Sequence, residues 1–531
     1  MHHRFKASAL ALWLAWLPAG PVLAQDGSMQ PAPASAGTIE EAASLQTALT
    51  AYLTGVPFEK KLLRIEPDPH GHRIVLDPAA VLSDLAGTPV SFAPLSLVVS
   101  ERDDGTWNVF TRDPVVVSGA FDVEGQTQRF EYSQGSQLFK GVYSPALATF
   151  LSAEAQVGTT TNRSNDAVSD SVATIGATRL TVAATPAADG GADVAFTQVY
   201  DAVSQTTTVR FPVEEGAPPS SFGFEMGAKG VETRGSLKAA RTRPILDLYA
   251  LVLSNAADLE RDAKGTLAGP FGMALKDRLR SVLPLWSSLD GTASARDVKV
   301  ASLYGEFGIG EASQTVHLSG IAADASFDMD VALRGLAVTT PMMPAWGASL
   351  TPDLVELGVA VSGVDLATPL EMALEKADFA SDPPLTPQVQ ADVQAAFAPE
   401  RIRVRIKPSR IRSRDLDVAF SGEVSLASGL PVSTMAIDVG GLDTAIATLQ
   451  GAAASDPNLH QAVGMLQFAK GLSRPKDGGR LEWVVVSAGD GSVAINGTML
   501  KGPDEPPALE TPDGETPGDE MPAVEVPADE L

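Results

Sequence analysis

Arg401-Ile402-Arg403-Val404-Arg405-Ile406-Lys407 alternates cation and aliphatic side chain without a break. Successive side chains of an extended strand point to opposite faces, so Ile402, Val404 and Ile406 share one face and four cations share the other. Such a strand is half-buried and antiparallel: one face packs while the other meets solvent or charge. The residues beyond it complete a unit of strands, an amphipathic helix and a closing hairpin. Asp456-Pro457 offers an N-cap with proline at the first helical position, Leu459, Ala462, Val463 and Leu466 recur at helical spacing, and Gly471 supplies the stop. Residues 481–487 form a β-branched run centred on Trp483; Asp490-Gly491 suits a type I′ turn, and Val493 and Ile495 return as the partner strand.

The same alternation of sheet and helix extends back through the chain. Residues 38–240 read as a β-rich region, led by Thr38 and Glu41 in capping-box spacing and by Ala42, Leu45, Leu49, Tyr52 and Leu53 on one helical face. Short runs such as Arg73-Ile74-Val75-Leu76 and Trp107-Asn108-Val109-Phe110 then read as strands of a meander. Residues 158–172 are polar and read as a long loop, after which strands resume at 197–211 and 223–233. Residues 241–500 form a helix-plus-meander region. Stripes at Ile245, Leu248, Tyr249, Val252, Leu253 and Ala256, and at Leu275, Leu279, Val282, Leu283 and Trp286, predict an αα-hairpin. Strands are expected over 292–338 and 354–361, and a helix over 387–397. No run has the evenly spaced, wholly apolar strands of a parallel sheet. The class expected is α+β: extended, curved antiparallel meanders with amphipathic helices packed between and against them.

The ends carry different information. His2, His3, Arg4 and Lys6 precede an apolar run over 7–17, and Val22-Leu23-Ala24 supplies small-residue cleavage spacing, so residues 1–24 read as a signal peptide cut after Ala24. The expected location is the periplasm, with no transmembrane helix left after cleavage. Residues 25–37 read as a disordered linker and 501–531 as a disordered acidic, proline-rich tail, with Pro507, Pro512, Pro517, Pro522 and Pro527 at every fifth position. Losing Arg4 and Lys6 with the leader takes the formal charge from −26 to −28, of which residues 502–531 supply ten. So acidic a chain is not built to bind nucleic acid. With no cysteine it has neither a disulfide framework nor a thiolate metal site, and its 44% hydrophobic content must supply the core.

Against that acidity Arg401, Arg403, Arg405, Lys407, Arg410, Arg412 and Arg414 stand out as seven cations within fourteen residues. Their partner is either internal, as acids on a neighbouring strand or in the tail, or external, as an anionic headgroup or the acidic surface of another envelope protein. Catalytic motifs are weak. Ser473-Arg474-Pro475-Lys476 has Ser-x-x-Lys spacing but lies just past a helix end, and Gly308-Ile309-Gly310 lacks the third glycine of a dinucleotide loop. His70 and His72 lie among Pro67, Pro69 and Gly71 and read as solvated turn residues. Asp328 and Asp330 read as a polar strand face. No metal, cofactor or catalytic residue is assigned.

Phe420-Ser421-Gly422-Glu423-Val424, followed by Leu442-Asp443-Thr444-Ala445, the helix to Gly471 and the 481–497 hairpin, resembles the C-terminal part of an uncharacterised exported proteobacterial family. Residues 354–366, ending in Val-Ser-Gly-Val-Asp-Leu, are similar to AsmA-like envelope proteins. The second resemblance implies a long curved sheet with a hydrophobic groove that carries or touches lipid. Two function classes follow. The first is a non-enzymatic envelope protein, structural or lipid-contacting. The alternative is a periplasmic hydrolase whose residues, among them His317 or His460, are scattered in sequence.

Overall fold

The computed structural model of the protein describes residues 30–123, 126–188, 190–211, 221–397, 399–426 and 431–504, so the leader and most of the acidic tail lie outside the described residues. Antiparallel sheet dominates, with helices between runs of strands, which is α+β with the balance toward sheet. The helix Ile39–Leu53 opens with the expected capping box: Thr38 Oγ1 accepts from Glu41 N, while the Glu41 carboxylate accepts from Thr38 N. This helix packs on the strand Leu63–Asp68 and on the helix Thr242–Ser254. Arg243 fixes the second contact, donating to Tyr52 Oη at 2.6 Å, to Asp247 at 2.9 Å and to the Pro145 carbonyl at 3.0 Å.

A six-stranded sheet comprises Leu63–Asp68, Gly71–Leu76, Leu95–Glu101, Trp107–Thr111, Gln137–Ser144 and Thr149–Val157, paired in that order. A much longer run of antiparallel pairings starts at Val90–Phe92 and passes through Val116–Val123, Gln126–Gln134, Thr160–Asn165, Ser169–Ile175, Ala192–Arg210 and Ser221–Ala240. It continues through Ser288–Ser302, Gly305–Ser319, Ala325–Thr339, Leu354–Val364 and Arg403–Arg412. Asp417–Ser425, Val432–Gly440, Arg480–Ser487, Val493–Ile495 and Thr498–Lys501 complete it. Among the described residues no register joins the last strand to the first, so the sheet is open. The pairing of Ser221–Ala240 with Ser288–Ser302 carries the sheet across position 241, where the two regions of the sequence meet.

Three local expectations change. The polar 158–172 stretch is not a loop. It supplies Thr160–Asn165 and most of Ser169–Ile175, because a strand with both faces near solvent can be built from Thr, Asn and Ser once neighbours satisfy its backbone. The expected αα-hairpin contains three helices, Thr242–Ser254, Ala256–Ala268 and Pro270–Ser281, and its first apolar stripe is not buried: Ile245, Tyr249 and Val252 are exposed. A helix at Leu442–Ala453 precedes the expected one at Leu459–Gly471, and the two pack together. With the sheet they form the main core: Val439, Leu442, Ile446, Leu449, Val463 and Trp483, with Trp346 and Leu350 at its margin.

Candidate ligand-binding face

Register defines which side chains of the long sheet share a face, since cross-strand partners and residues two apart on one strand lie on the same side. One row reads Val194, Leu237, Leu289, Leu318, Phe327, Val361, Val404, Val424, each the partner of the next. The neighbouring row reads Val316, Met329, Val359, Ile406, Gly422, Met435, Val485, Ile495. Farther along the same strands come Leu333, Val355, Ile411, Val418, Val439 and Leu481. Leu357 sits between these rows on the strand Leu354–Val364. The result is one apolar face spanning many strands.

Coverage of that face is uneven. At its C-terminal margin the helices Leu442–Ala453 and Leu459–Gly471 close over it, leaving Val439 7% and Trp483 8% exposed. Over the middle strands the side chains stay half-exposed, and Leu357 is 42% exposed. Aliphatic side chains so placed leave apolar area in water at a cost of about 25 cal/mol per Å². Helices stand at the end of the face where Lys238, Ser288, Ser319, Ser362 and Arg403 lie, because the connections 241–287 and 365–402 both leave and return there.

The opposite face is charged and internally neutralised. Lys407 Nζ lies 2.7 Å from Asp328 and 2.6 Å from Asp330, which raises its pKa, Asp328 contributing most. Arg410 makes two bonds to Asp417 at 2.7 and 2.8 Å, Arg412 pairs with Asp353 at 3.2 Å, Arg414 with Asp415 at 3.3 Å and Arg401 with Asp365 at 3.9 Å. Arg403 donates to the carbonyls of Glu400 and Ile402, and Arg405 is exposed with Glu423 as its cross-strand neighbour. Arg480 bridges Asp417 and Asp438. Most of the basic cluster thus finds acids within the same part of the sheet: Asp417 on the next strand, Asp328 and Asp330 one strand farther, and Asp353, Asp365 and Asp415 in the connections. The strand itself is Arg403–Arg412, with a bulge where Pro408, which has no N–H to give, can sit. Ser409 Oγ fills the gap, accepting from Gly358 N at 3.1 Å and donating to Lys407 O at 2.9 Å.

The remaining candidates are placed as follows. His72 is not solvated as its turn-like context suggested: its strand is covered by the N-terminal segment, it is 8% exposed, and its Nε2 lies 3.7 Å from Glu41. It lines a cleft of about 810 Å³ with Gly37, Glu41, Ser100, Arg102 and Trp107. His70 is surface-exposed. Ser473 donates to the Lys470 carbonyl, and Lys476 pairs with Asp438 and Glu482, so the Ser-x-x-Lys residues serve a turn and a short strand. His317 Nδ1 lies 2.7 Å from Asp290, both on the surface, and the described hydrogen bonds bring no serine hydroxyl to that pair. Among the described residues no group of three or more His, Cys, Asp or Glu could hold a metal ion, and no helix is long and apolar enough to cross a membrane.

Compared with protein-family models, with curated proteins and with solved structures, the chain matches none.

The apolar face is not evident from the sequence because its members are spread over eleven strands with insertions between them. Alternation within single strands marked the participants, but only register shows that they form rows.

Proposed function

We propose that the chain is an exported, non-enzymatic envelope protein, released to the periplasm by cleavage after Ala24, that holds acyl chains of lipid along the apolar face of its long sheet. The observation that carries this reading is the set of aligned rows through Phe327, Met329, Val359, Val361, Val404 and Ile406, apolar across successive strands yet half-exposed. A linear hydrocarbon chain needs a long apolar strip and few polar contacts, in contrast to the convergent polar groups of a small-molecule pocket. Neutralisation of most of the opposite face favours the same side, because Lys407, Arg410, Arg412 and Arg480 already pair with acids.

The test is binding of a fluorescent fatty acid by the purified mature protein, with displacement by phospholipid. Leu357→Asp places a carboxylate in the strip at a position exposed enough to tolerate it; binding is expected to fall by about tenfold or more with the thermal midpoint little changed. Absence of binding by the wild type, or unchanged binding by the variant, rejects the reading.

The hydrolase reading rests on one observation, the His317–Asp290 contact, which resembles a base and its orienting carboxylate. Ester hydrolysis lost in His317→Ala would favour it over the lipid-holding reading.

A further inference from the structure

The cleft of about 810 Å³ beside His72 is bounded by three pieces of chain. Residues 32–37, which are alanine, proline, serine and glycine only, form one wall. The helix Ile39–Leu53 contributes Glu41, and the hairpin of Leu95–Glu101 and Trp107–Thr111 contributes Glu101, Arg102, Asp103, Asp104 and Trp107. None of these residues belongs to the apolar rows of the long sheet, so a ligand here is independent of the lipid reading. The charge of the walls is one-sided. Arg102 is the only lysine or arginine that lines the cleft, and its Nε lies 3.7 Å from Asp104. Among the described residues no lysine or arginine pairs with Glu41, Glu101 or Asp103. Bonds from the Thr38 backbone and hydroxyl hold the Glu41 carboxyl below the ordinary range, and bonds from the Thr106 hydroxyl and backbone do the same for Asp104. A cleft lined by one sign of charge concentrates ligands of the other.

Beside these carboxylates stands a buried ring nitrogen with no partner. His72 Nε2 makes no hydrogen bond, and Glu41 Oε2 is 3.7 Å away, too far for a direct one. Buried polar atoms almost always have a partner, and one left without it calls for a group from outside the chain. A donor atom at ordinary hydrogen-bond length from both Nε2 and Oε2 would bridge the gap. With its ring proton on Nδ1, His72 accepts through Nε2, and a primary ammonium carries three donors, enough for Nε2, Glu41 and one further carboxylate. The wall 32–37 comes so close that a Cβ on Gly37 would stand 2.8 Å from Nε2, but residues 33–36 are exposed, so it yields to an entering donor without unpacking a core.

We propose that this cleft binds a linear polyamine, with one ammonium between His72 and Glu41 and the others at the carboxylates of the hairpin. Charge selects a cation, because an anion would meet three unpaired carboxylates and a neutral ligand would gain nothing from them. The spread of those carboxylates selects an extended cation. A metal ion needs its oxygen ligands gathered around one point, and among the described residues no group of three or more His, Cys, Asp or Glu is so gathered. Ammonium groups spaced along a flexible chain can meet carboxylates that stand apart. Trp107 gives the methylenes between them an apolar contact and offers a ring to which an ammonium is attracted. The volume falls within the range of about 300–1,000 Å³ usual for small-molecule sites.

The test is isothermal titration of the mature protein with spermidine at low and physiological salt, and in parallel with calcium, glucose and trilysine amide. The wild type is expected to bind spermidine, more weakly at the higher salt. A Glu41→Gln, Asp103→Asn double variant is expected to lose about tenfold or more in affinity, while glutamine keeps the capping box and with it the start of the helix. His72→Phe keeps a ring in the buried position and removes the acceptor; it is expected to lose about fivefold, with a thermal midpoint no lower than that of the wild type. Glu510→Gln with Asp513→Asn removes the same charge from the acidic tail and is expected to bind spermidine like the wild type, which separates the cleft from general attraction to an acidic chain. No binding by the wild type overturns the proposal, as does unchanged binding by either cleft variant or an equal loss in the tail variant. Tighter binding of calcium, glucose or trilysine amide than of spermidine also overturns it.

Discussion

Lys407 holds its ammonium 2.6 Å from the carboxylate of Asp330, a residue two strands away. The side chain can pass over the intervening strand because Gly358 lies beneath it: a Cβ there would stand 2.6 Å from Asp330 Oδ1 and 2.9 Å from Lys407 Cβ. Gly358→Ala is therefore expected to displace the ammonium and destabilise by about 1–2 kcal/mol. Lys407→Met, which leaves Asp328 and Asp330 adjacent and uncompensated, should cost roughly 1 kcal/mol, because all three groups are partly solvated. Arg405→Ser should stay within about 0.5 kcal/mol. Urea unfolding of the three variants checks the order, and an Arg405→Ser cost equal to that of Lys407→Met would refute pairing as the role of the cluster.

Asp417 gives a pH signature. The Arg410 guanidinium, with Arg480 behind it, holds its carboxyl at about 2, below the ordinary 3.8. A depressed folded pKa stabilises above the unfolded value and is lost as pH falls, so this contribution is complete above about pH 5 and disappears between about pH 4 and pH 2. Solvent at Arg410 screens the pair, which limits the contribution to about 1–2 kcal/mol. Asp417→Asn should show a shallower loss of stability over that window than the wild type, measured by urea midpoints at successive pH values. Parallel wild-type and variant curves would assign the acid sensitivity elsewhere.

The strands around Arg403–Arg412 were legible because one face of each is apolar and the other charged, so the alternation survives in the sequence. The hairpin at Asp490-Gly491 was legible because Gly491 takes φ +79°, but Asp490 is not at positive φ and the connection spans residues 488–492, a longer loop than the two-residue type I′ turn expected. The Thr160–Asn165 strand was not, since neither face is apolar and nothing separates its composition from that of a loop. The helix Leu442–Ala453 opens after Gly441 with no side-chain cap and no signal in the sequence, whereas Asp456-Pro457 marks the approach to the next helix, which begins two residues later than expected, at Leu459, also without a side-chain cap. The basic cluster was legible as a feature but its partners were not: Asp328, Asp330, Asp353 and Asp417 come from two other strands and a loop.

The two ends of one sheet face should respond differently to truncation. Trp483 is closed over by helices, and its Nε1 donates to the Ala469 carbonyl at 2.7 Å, so Trp483→Ala opens a cavity and removes one of the two hydrogen bonds that carbonyl accepts, the other coming from Leu472 N. A loss of about 3–5 kcal/mol is expected. Val359 shares the face but is half-exposed, so Val359→Ala loses less transfer energy and leaves no enclosed cavity; about 1 kcal/mol or less is expected. Chemical denaturation of both decides the matter. A Val359→Ala loss near that of Trp483→Ala would mean that the strip is a closed core rather than an open surface.

Asn496 ties the closing hairpin to the helix Leu459–Gly471. Its Nδ2 donates to the carbonyls of Leu472 at 2.8 Å and Glu482 at 3.0 Å, while its Oδ1 accepts from Val484 N at 2.9 Å. The residue also takes φ +50°, a left-handed conformation that asparagine tolerates and most side chains do not. Two substitutions separate the contributions. Asn496→Gly keeps the backbone conformation accessible and removes three hydrogen bonds from partly buried groups, for an expected loss of about 2–3 kcal/mol. Asn496→Ala removes the same bonds and adds strain at positive φ, so it should be worse by about 0.5–1 kcal/mol. If alanine proves no worse than glycine, the left-handed backbone is not under constraint, and the side-chain bonds alone account for the residue.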